Sequence, residues 1–143
     1  MKKISLLTGC VATALFVLVG VVGAADDGDL PKVHKQSGST FMTGGAQDAQ
    51  RKAMGKAAPK YPIQLVFLST NPESDMSGVK VTMRNVSGDP ILEAPSEGPH
   101  FFINPPASGR YTFDIEYNGE KKSVTKDLVG RRYLVLEFKF GDK

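Results

Sequence analysis

Alternating apolar and polar residues mark a strand near the middle of the chain, at residues 110–117. Large apolar residues occupy every second position there, namely Tyr111, Phe113, Ile115 and Tyr117. This period of two predicts a strand with one buried face and one face in water. The Asn118-Gly119 pair that follows is typical of a tight type I′ hairpin turn. Four large apolar side chains on one face need a second layer to pack against, so the pattern predicts a β-sandwich or a barrel.

Six more short apolar runs, separated by turn residues, surround this strand. They span residues 61–68, 79–84, 90–94, 100–103, 121–128 and 133–140. Short strands at fairly even spacing are typical of an all-β sandwich. The sequence contains no β-α-β pattern, so a parallel sheet is not expected. We therefore predict a seven-stranded antiparallel sandwich over residues 61–140.

The chain ahead of this domain has a different pattern. Residues 26–45 are rich in Gly, Ser, Thr, Asp and Lys without an apolar period, which predicts a flexible polar segment. In residues 46–58, alanines recur at helical spacing beside Met54, and Pro59 ends the run. These features predict a short α-helix before the sandwich, which either packs on it or frays. A packing surface is the preferred interpretation, and a docking element for another protein is the alternative.

Residues 1–25 have the form of a signal peptide. Lys2 and Lys3 precede a long uncharged run, and the small residues at Ala24 and Ala25 offer two registers for cleavage. We therefore expect export to the periplasm or secretion. Two alternatives stay open: the apolar run is long enough for an uncleaved membrane anchor, and Leu7-Thr8-Gly9-Cys10 resembles a bacterial lipobox.

Charge and cysteine content exclude two classes of function. Removing the two leader lysines from the formal net charge of +3 leaves +1 for the mature chain. Without a basic stripe, nucleic acid is not an expected partner. The only cysteine, Cys10, also lies in the leader, so the mature chain is expected to have neither a disulfide nor thiol chemistry.

Several short segments carry a resemblance to a known family. They are residues 61–67, 78–84, 97–102, 105–106, 109–112 and 116–119, with Gly44-Gly45 and the following helix as a lead-in. In these segments the chain resembles the carboxypeptidase regulatory-like domains, which are transthyretin-like or prealbumin-like sandwiches, as found in short exported proteins of Gram-negative bacteria. The resemblance implies an Ig-like or prealbumin-like fold and a non-catalytic module. Residues 104–109 depart from it, because they form a longer corner than the family's Leu-Pro-Pro-Gly.

Few residues offer catalytic or metal chemistry. The only histidines are His34, in the segment predicted to be flexible, and His100. A metal site needs a closer cluster of ligands, and a serine hydrolase elbow of the form Gly-x-Ser-x-Gly is not found. The hydrolases of transthyretin-like shape use several histidines and an arginine. We therefore predict no enzyme, no metal and no cofactor, and we keep a small transthyretin-like hydrolase as the third interpretation.

One group of residues is the candidate surface for a ligand or a partner. Its members are His100, Phe102, Asn104, Arg131, Arg132 and Tyr133. Phe102 is opposite in phase to its neighbours Phe101 and Ile103, so at least one of these three residues is expected to lie off the main core. With His100 and Tyr133 it forms either an exposed aromatic patch or a cover over the open end of the sandwich. The Arg131-Arg132 pair is either solvated or a contact for an acidic partner or lipid headgroup.

The main hypothesis is an exported, non-catalytic binding module whose partner is another envelope protein. Contact is expected through an edge strand, through residues 104–109 or through the N-terminal segment. The alternative is a carbohydrate-binding or peptidoglycan-binding module that uses His100, Phe102 and Tyr133. Membrane contact is expected only through the leader, if it is not cleaved.

Overall fold

The computed structural model describes residues 29–141, so the predicted signal peptide, with Cys10, Ala24 and Ala25, lies outside the described residues. Nine strands and one α-helix occur in the described part. In chain order they are β1 (His34–Gln36), β2 (Ser39–Gly44), α1 (Asp48–Ala57), β3 (Ile63–Ser69), β4 (Ser77–Arg84), β5 (Pro90–Glu97), β6 (His100–Asn104), β7 (Arg110–Tyr117), β8 (Glu120–Asp127) and β9 (Leu134–Phe140). A single 3-10 turn, Ala58–Lys60, follows the helix. Among the described residues, no helix has the length and apolar character needed to cross a membrane.

The strands form two sheets. The large sheet has five strands in the order β1-β2-β6-β3-β9, and the small sheet has four in the order β5-β4-β7-β8. Both sheets contribute side chains to one hydrophobic core. Ile63, Phe67 and Phe101 enter it from the large sheet, and Val81 and Phe113 enter it from the small sheet. The predicted alternation of β7 is confirmed, because Tyr111, Phe113 and Ile115 are buried and the polar residues between them are partly exposed, while Tyr117 at the end of the strand is half-buried.

The prediction of a mostly β chain with one short helix is confirmed, but the number of strands is wrong. All seven predicted strands are present, with ends that differ from the prediction by at most three residues. Two more strands, β1 and β2, lie in the segment that was predicted to be flexible, so strands also precede the helix. In β2 both faces are buried, since Phe41 joins the main core and Met42 is buried outside it. No apolar period of two can show in such a strand.

The prediction that all strands pair antiparallel is also wrong. β3 and β9 are parallel, with Ile63 opposite Leu134 and Ser69 opposite Phe140. The connection explains the direction. β8 ends beside the start of β7, where Asp127 pairs with Arg110, and residues 128–133 then bring the chain to the end at which β3 begins. An antiparallel β9 would need a connection that crosses the length of the sheet.

Helix α1 covers part of the outer face of the large sheet. Met54 is fully buried although it does not belong to the main core, and Met42 and Phe102 on the same sheet face are buried as well. The Tyr61 and Phe102 rings lie 6.2 Å apart between their centroids. The helix therefore packs on the sheet, and these residues form a second, smaller apolar cluster. In the first turn of the helix, Asp48 pairs with Arg51, at 2.7 Å between Oδ1 and Nη1.

Candidate functional site

The outer face of the small sheet forms a concavity of about 840 Å³ that is open to solvent. We call it the sheet groove. The polar residues that define it are Lys80, Thr82, Arg84, Glu93, Asp114, Glu116, Lys121 and Ser123. All of them lie on strands, so their backbone positions are held by the ladder of the sheet. A binding surface built on strands is better defined than one built on loops.

Strand register places opposite charges next to each other across the groove. Lys80 on β4 is directly opposite Glu116 on β7, and Glu116 is directly opposite Lys121 on β8. One position along, Thr82 lies between Glu93 and Asp114. Opposite charges directly across neighbouring strands attract each other. The row of Lys80, Glu116 and Lys121 therefore presents a cation, an anion and a cation at the spacing of neighbouring strands, about 4.8 Å. The row of Glu93, Thr82 and Asp114 is anionic.

Asp114 is the most firmly held charge in the groove. Its Oδ1 accepts a hydrogen bond from the Ser123 hydroxyl at 2.6 Å, and its Oδ2 accepts one from Arg84 Nε at 2.8 Å. The hydrogen bond from Ser123, followed by that from Arg84, holds the pKa of Asp114 below its usual value. The carboxylate stays ionised and is a weak proton acceptor. This arrangement suits recognition of a polar partner better than acid–base chemistry.

The two edges of the small sheet differ. At β5, the Gln36 side chain imitates a strand partner, since its Oε1 accepts from the Glu93 N–H and its Nε2 donates to the Glu93 carbonyl, each at 3.0 Å. At β8, no described strand pairs with the outer edge. Edge strands leave backbone donors and acceptors free for another chain. The groove therefore has a capped edge at β5 and an open edge at β8.

The structure separates the six residues of the predicted surface. β6 is only five residues long, with His100 at its start and Asn104 at its end. Ile103 pairs with Ile63, and Ile63 pairs with Leu134, so Arg131, Arg132 and Tyr133 lie at the Asn104 end. The predicted surface is therefore two separate regions rather than one.

Phe102 does not contribute an exposed aromatic ring. Its side chain is 5% exposed and lies between the rings of His100, at 5.8 Å, and Tyr61, at 6.2 Å. Tyr133 is 41% exposed, and its hydroxyl approaches the Pro59 carbonyl at 3.5 Å. The exposed patch of His100, Phe102 and Tyr133 is therefore not formed, because Phe102 belongs to the apolar cluster under the helix.

His100 is held in a tight junction between strands and helix. Its Nδ1 is buried and has no hydrogen-bond partner among the described residues. Its ring lies against Gly45, where an added Cβ would be 2.6 Å from the His100 Cδ2. Gly45 is tied to the helix, since its N–H donates to Gln50 Oε1 at 2.7 Å and its carbonyl accepts from Arg51 Nε at 3.2 Å. Burial lowers the pKa of His100, and the positive charge of Arg51 lowers it further.

This lowered pKa predicts that the free energy of unfolding falls in acid. The unfolded chain takes up a proton on His100 near pH 6.5, whereas the folded chain resists it. Because the unfolded state then binds more protons, stability decreases as the pH drops below about 6.5 and levels off below the lowered pKa of the folded state. We expect His100→Gln to have a smaller loss of stability than the parent between about pH 7.5 and about pH 5. Urea unfolding at both pH values measures this, and an equal loss in the two proteins would contradict it.

The two histidines do not share a site. His34 pairs with Phe41 and stacks on its ring at 5.1 Å, while His100 pairs with Gly44, three positions further along β2. His34 is in phase with the core face of the large sheet, and His100 is in phase with the outer face. Within residues 29–141, no group of three or more His, Cys, Asp or Glu side chains is arranged to hold a metal ion.

The sheet groove was missed as a site, although its components were visible in the sequence. The alternation in β4 and β7 marks Lys80, Thr82, Arg84, Asp114 and Glu116 as solvent-facing. Their assembly depends on which strands are neighbours and in which register. That information is not local, because two strands separate β4 from β7 along the chain: β5, which pairs with the other side of β4, and β6, which lies in the large sheet.

No family model matches the chain, and a search of the curated proteins finds no match either.

Proposed function

We propose that the chain is an exported, non-catalytic binding module of the cell envelope, and that the sheet groove is the surface that contacts its partner. The single observation that carries this proposal is the groove itself, an open concavity of about 840 Å³ that displays a row of alternating charges on paired strands. Export rests on the signal-peptide form of residues 1–25. The proposed localisation is the periplasm or the medium outside the cell.

We also infer that the two sheets pack face to face as a prealbumin-like sandwich of the carboxypeptidase regulatory-like type. One hydrophobic core that receives side chains from both sheets supports this packing. The sequence segments that resemble the family fall on β3, β4, β6 and β7 and on the turns beside them. Because a fold of this kind hosts many functions, the site has to carry the functional argument.

The groove favours a polypeptide partner over a sugar. Carbohydrate-binding surfaces commonly offer an aromatic platform, yet the residues that line the groove include no Phe, Tyr or Trp. Alternating charges instead match a polypeptide strand with side chains of both signs. The open edge of β8 lies directly beside the groove, where such a strand can add to the sheet and place alternate side chains on the groove face, next to Lys121. We therefore propose another envelope protein as the partner.

A photo-crosslinking amino acid at position 121 tests this proposal. Lys121 is exposed at the β8 side of the groove, and Lys52 is exposed on the helix, away from the small sheet. After irradiation of cells that export the tagged chain, we expect one specific adduct with an envelope protein from position 121. The same label at position 52 is expected to give none.

A second variant connects the adduct to the charges of the groove. Lys80 lies in the same cross-strand row as Lys121, with Glu116 between them. Lys80→Glu in the chain labelled at position 121 is expected to lower the yield of the adduct about fivefold, as for about 1 kcal/mol of lost charge interaction. An unchanged yield, or identical adducts from positions 121 and 52, would rule out the groove as the contact surface.

A further inference from the structure

Exposed apolar side chains and basic side chains lie together on neighbouring turns at the end of the sheets where β3 and β9 begin. We call Lys60, Val129, Arg131, Arg132 and Tyr133 the basic tip. Because β3 and β9 are parallel and start side by side, the residues that precede them are neighbours. The Leu134 N–H donates to the Pro62 carbonyl at 2.7 Å, which fixes this arrangement. Lys60 therefore lies beside the segment that carries Arg131 and Arg132.

The apolar side chains of the tip project into solvent. Val129 is 60% exposed and Tyr133 is 41% exposed. Val86, which is 76% exposed, lies at the same end, because Arg84 pairs with Thr112 near the start of β7. Single exposed apolar residues are ordinary on a protein surface. Here, however, they stand on separate turns at one end of the strands, next to the basic residues.

The turn that displays Val129 is well fixed. The Arg131 N–H donates to the Leu128 carbonyl at 3.0 Å, and the Val129 N–H donates to Asp127 Oδ1 at 3.0 Å. Gly130 has a φ of +80°, which is the conformation that the third residue of a type II turn requires. Leu128 is buried in the core and anchors the turn. The hydrogen-bonded turn therefore fixes the outward position of Val129.

The charges of the tip are left without partners inside the described chain. Lys60, Arg131 and Arg132 are exposed, and none of them forms an ion pair within residues 29–141. Of the carboxylates at this end, Asp127 lies 3.9 Å from the Arg110 guanidinium and Asp89 belongs to the turn of Val86. Cations therefore outnumber anions at this end of the strands.

We propose that the basic tip docks on the surface of an anionic lipid bilayer. Basic residues next to such a surface are attracted to its headgroups, while exposed apolar side chains enter the boundary between the headgroups and the acyl chains. Tyrosine suits the same interface, because its ring is apolar and its hydroxyl is polar. A protein partner would need a separate pocket for each protruding apolar side chain, whereas a bilayer accepts these side chains without pockets. This contact involves no membrane-spanning segment and does not depend on the partner of the sheet groove.

A tryptophan reporter tests the insertion of the tip. The chain contains no Trp, so Val129→Trp gives a single signal, and Leu68→Trp on β3 is the matched control. The protein is purified as the cell exports and processes it, and intact mass establishes its N-terminus. With phosphatidylglycerol vesicles, we expect a blue shift of the Val129→Trp emission and quenching by brominated acyl chains. Phosphatidylcholine vesicles, and the Leu68→Trp control, are expected to give neither.

Charge variants test the electrostatic part of the contact. Removing two basic residues near an anionic surface is expected to weaken partition about thirtyfold, so Arg131→Gln with Arg132→Gln should largely abolish co-sedimentation. Lys52→Gln with Lys139→Gln removes the same charge at exposed positions outside the tip and should retain binding. A retained leader would add equal binding to all variants, so the differences between them decide the result.

Three outcomes would overturn the proposal. These are no blue shift of Val129→Trp with anionic vesicles, an equal shift with phosphatidylcholine, or an equal loss of binding in both double variants. The last would show that net charge alone causes the binding. Thermal unfolding of each variant confirms that the comparison is made on folded protein.

Discussion

Replacing Phe113 with alanine is expected to lower the free energy of unfolding by about 3–5 kcal/mol. The side chain is fully buried, and β7 pairs on both sides, with Met83 of β4 and Val124 of β8 opposite Phe113. A cavity at this position cannot be filled by a shift of β7, because both neighbouring strands hold it. Single domains are stable by about 5–15 kcal/mol, so the variant should show a substantial unfolded population under mild conditions.

Urea unfolding followed by circular dichroism measures this loss. The matched control is Val86→Ala, since Val86 is 76% exposed on a turn and should change stability by less than about 0.5 kcal/mol. An unchanged slope with urea indicates that the native and unfolded states have kept their surface areas. If Phe113→Ala unfolded at nearly the same urea concentration as the parent, the inward face of β7 would have been assigned incorrectly.

Both ends of strand β7 could be predicted from the sequence, because a strand with one buried and one exposed face has a regular alternation of apolar and polar residues. One of its faces packs in the core and the other lies in water, so apolar and polar residues alternate without exception over Tyr111–Ile115. The Asn118-Gly119 turn that follows also forms, with positive φ at both residues. Local chemistry decides both features, and so the sequence alone was sufficient.

Strand β2 shows the opposite case. Phe41 faces the main core and Met42 faces the cluster under the helix, so both faces of the strand are buried. With Ser39, Thr40 and Thr43 around them, these residues have the composition of a loop. The hydroxyl of Thr43 donates to the His100 carbonyl at 2.9 Å and accepts from the Glu97 N–H at 3.0 Å. A buried polar residue whose partners lie far along the chain gives no local signal.

The candidate site was only partly predictable for a related reason. Solvent-facing positions such as Lys80 and Asp114 follow from alternation, but the groove exists only because β7 lies between β4 and β8 in a particular register. Conversely, the predicted surface included both His100 and Asn104, which stand at opposite ends of β6. A strand of five residues carries its two ends about 14 Å apart, so these two residues cannot belong to one small site.

The second large effect is expected at Gly98, between β5 and β6. A Cβ added there would collide with the carbonyl of Gly44, and it would lie 2.9 Å from the Gly44 Cα. Both neighbours are backbone atoms of a paired strand, so no side chain can rotate away to relieve the contact. We expect Gly98→Ala to lower the free energy of unfolding by about 3 kcal/mol, the upper part of the usual range for overpacking. Urea unfolding measures the loss.

Gly55→Ala is the matched control, because it adds the same methyl group to the exposed side of helix α1, with no atom within 4 Å. Alanine is the better helix former, so this variant is expected to gain about 1 kcal/mol. Opposite signs for one chemical change would show that close approach of β2 to the β5–β6 turn, and not glycine content, limits stability.

The effect at Gly98 is also local, because the Glu97 N–H and the His100 carbonyl both bond to the Thr43 hydroxyl. Faster amide hydrogen exchange at Glu97 should accompany the loss, and unchanged exchange with unchanged stability would mean that the two backbones can separate freely at this point.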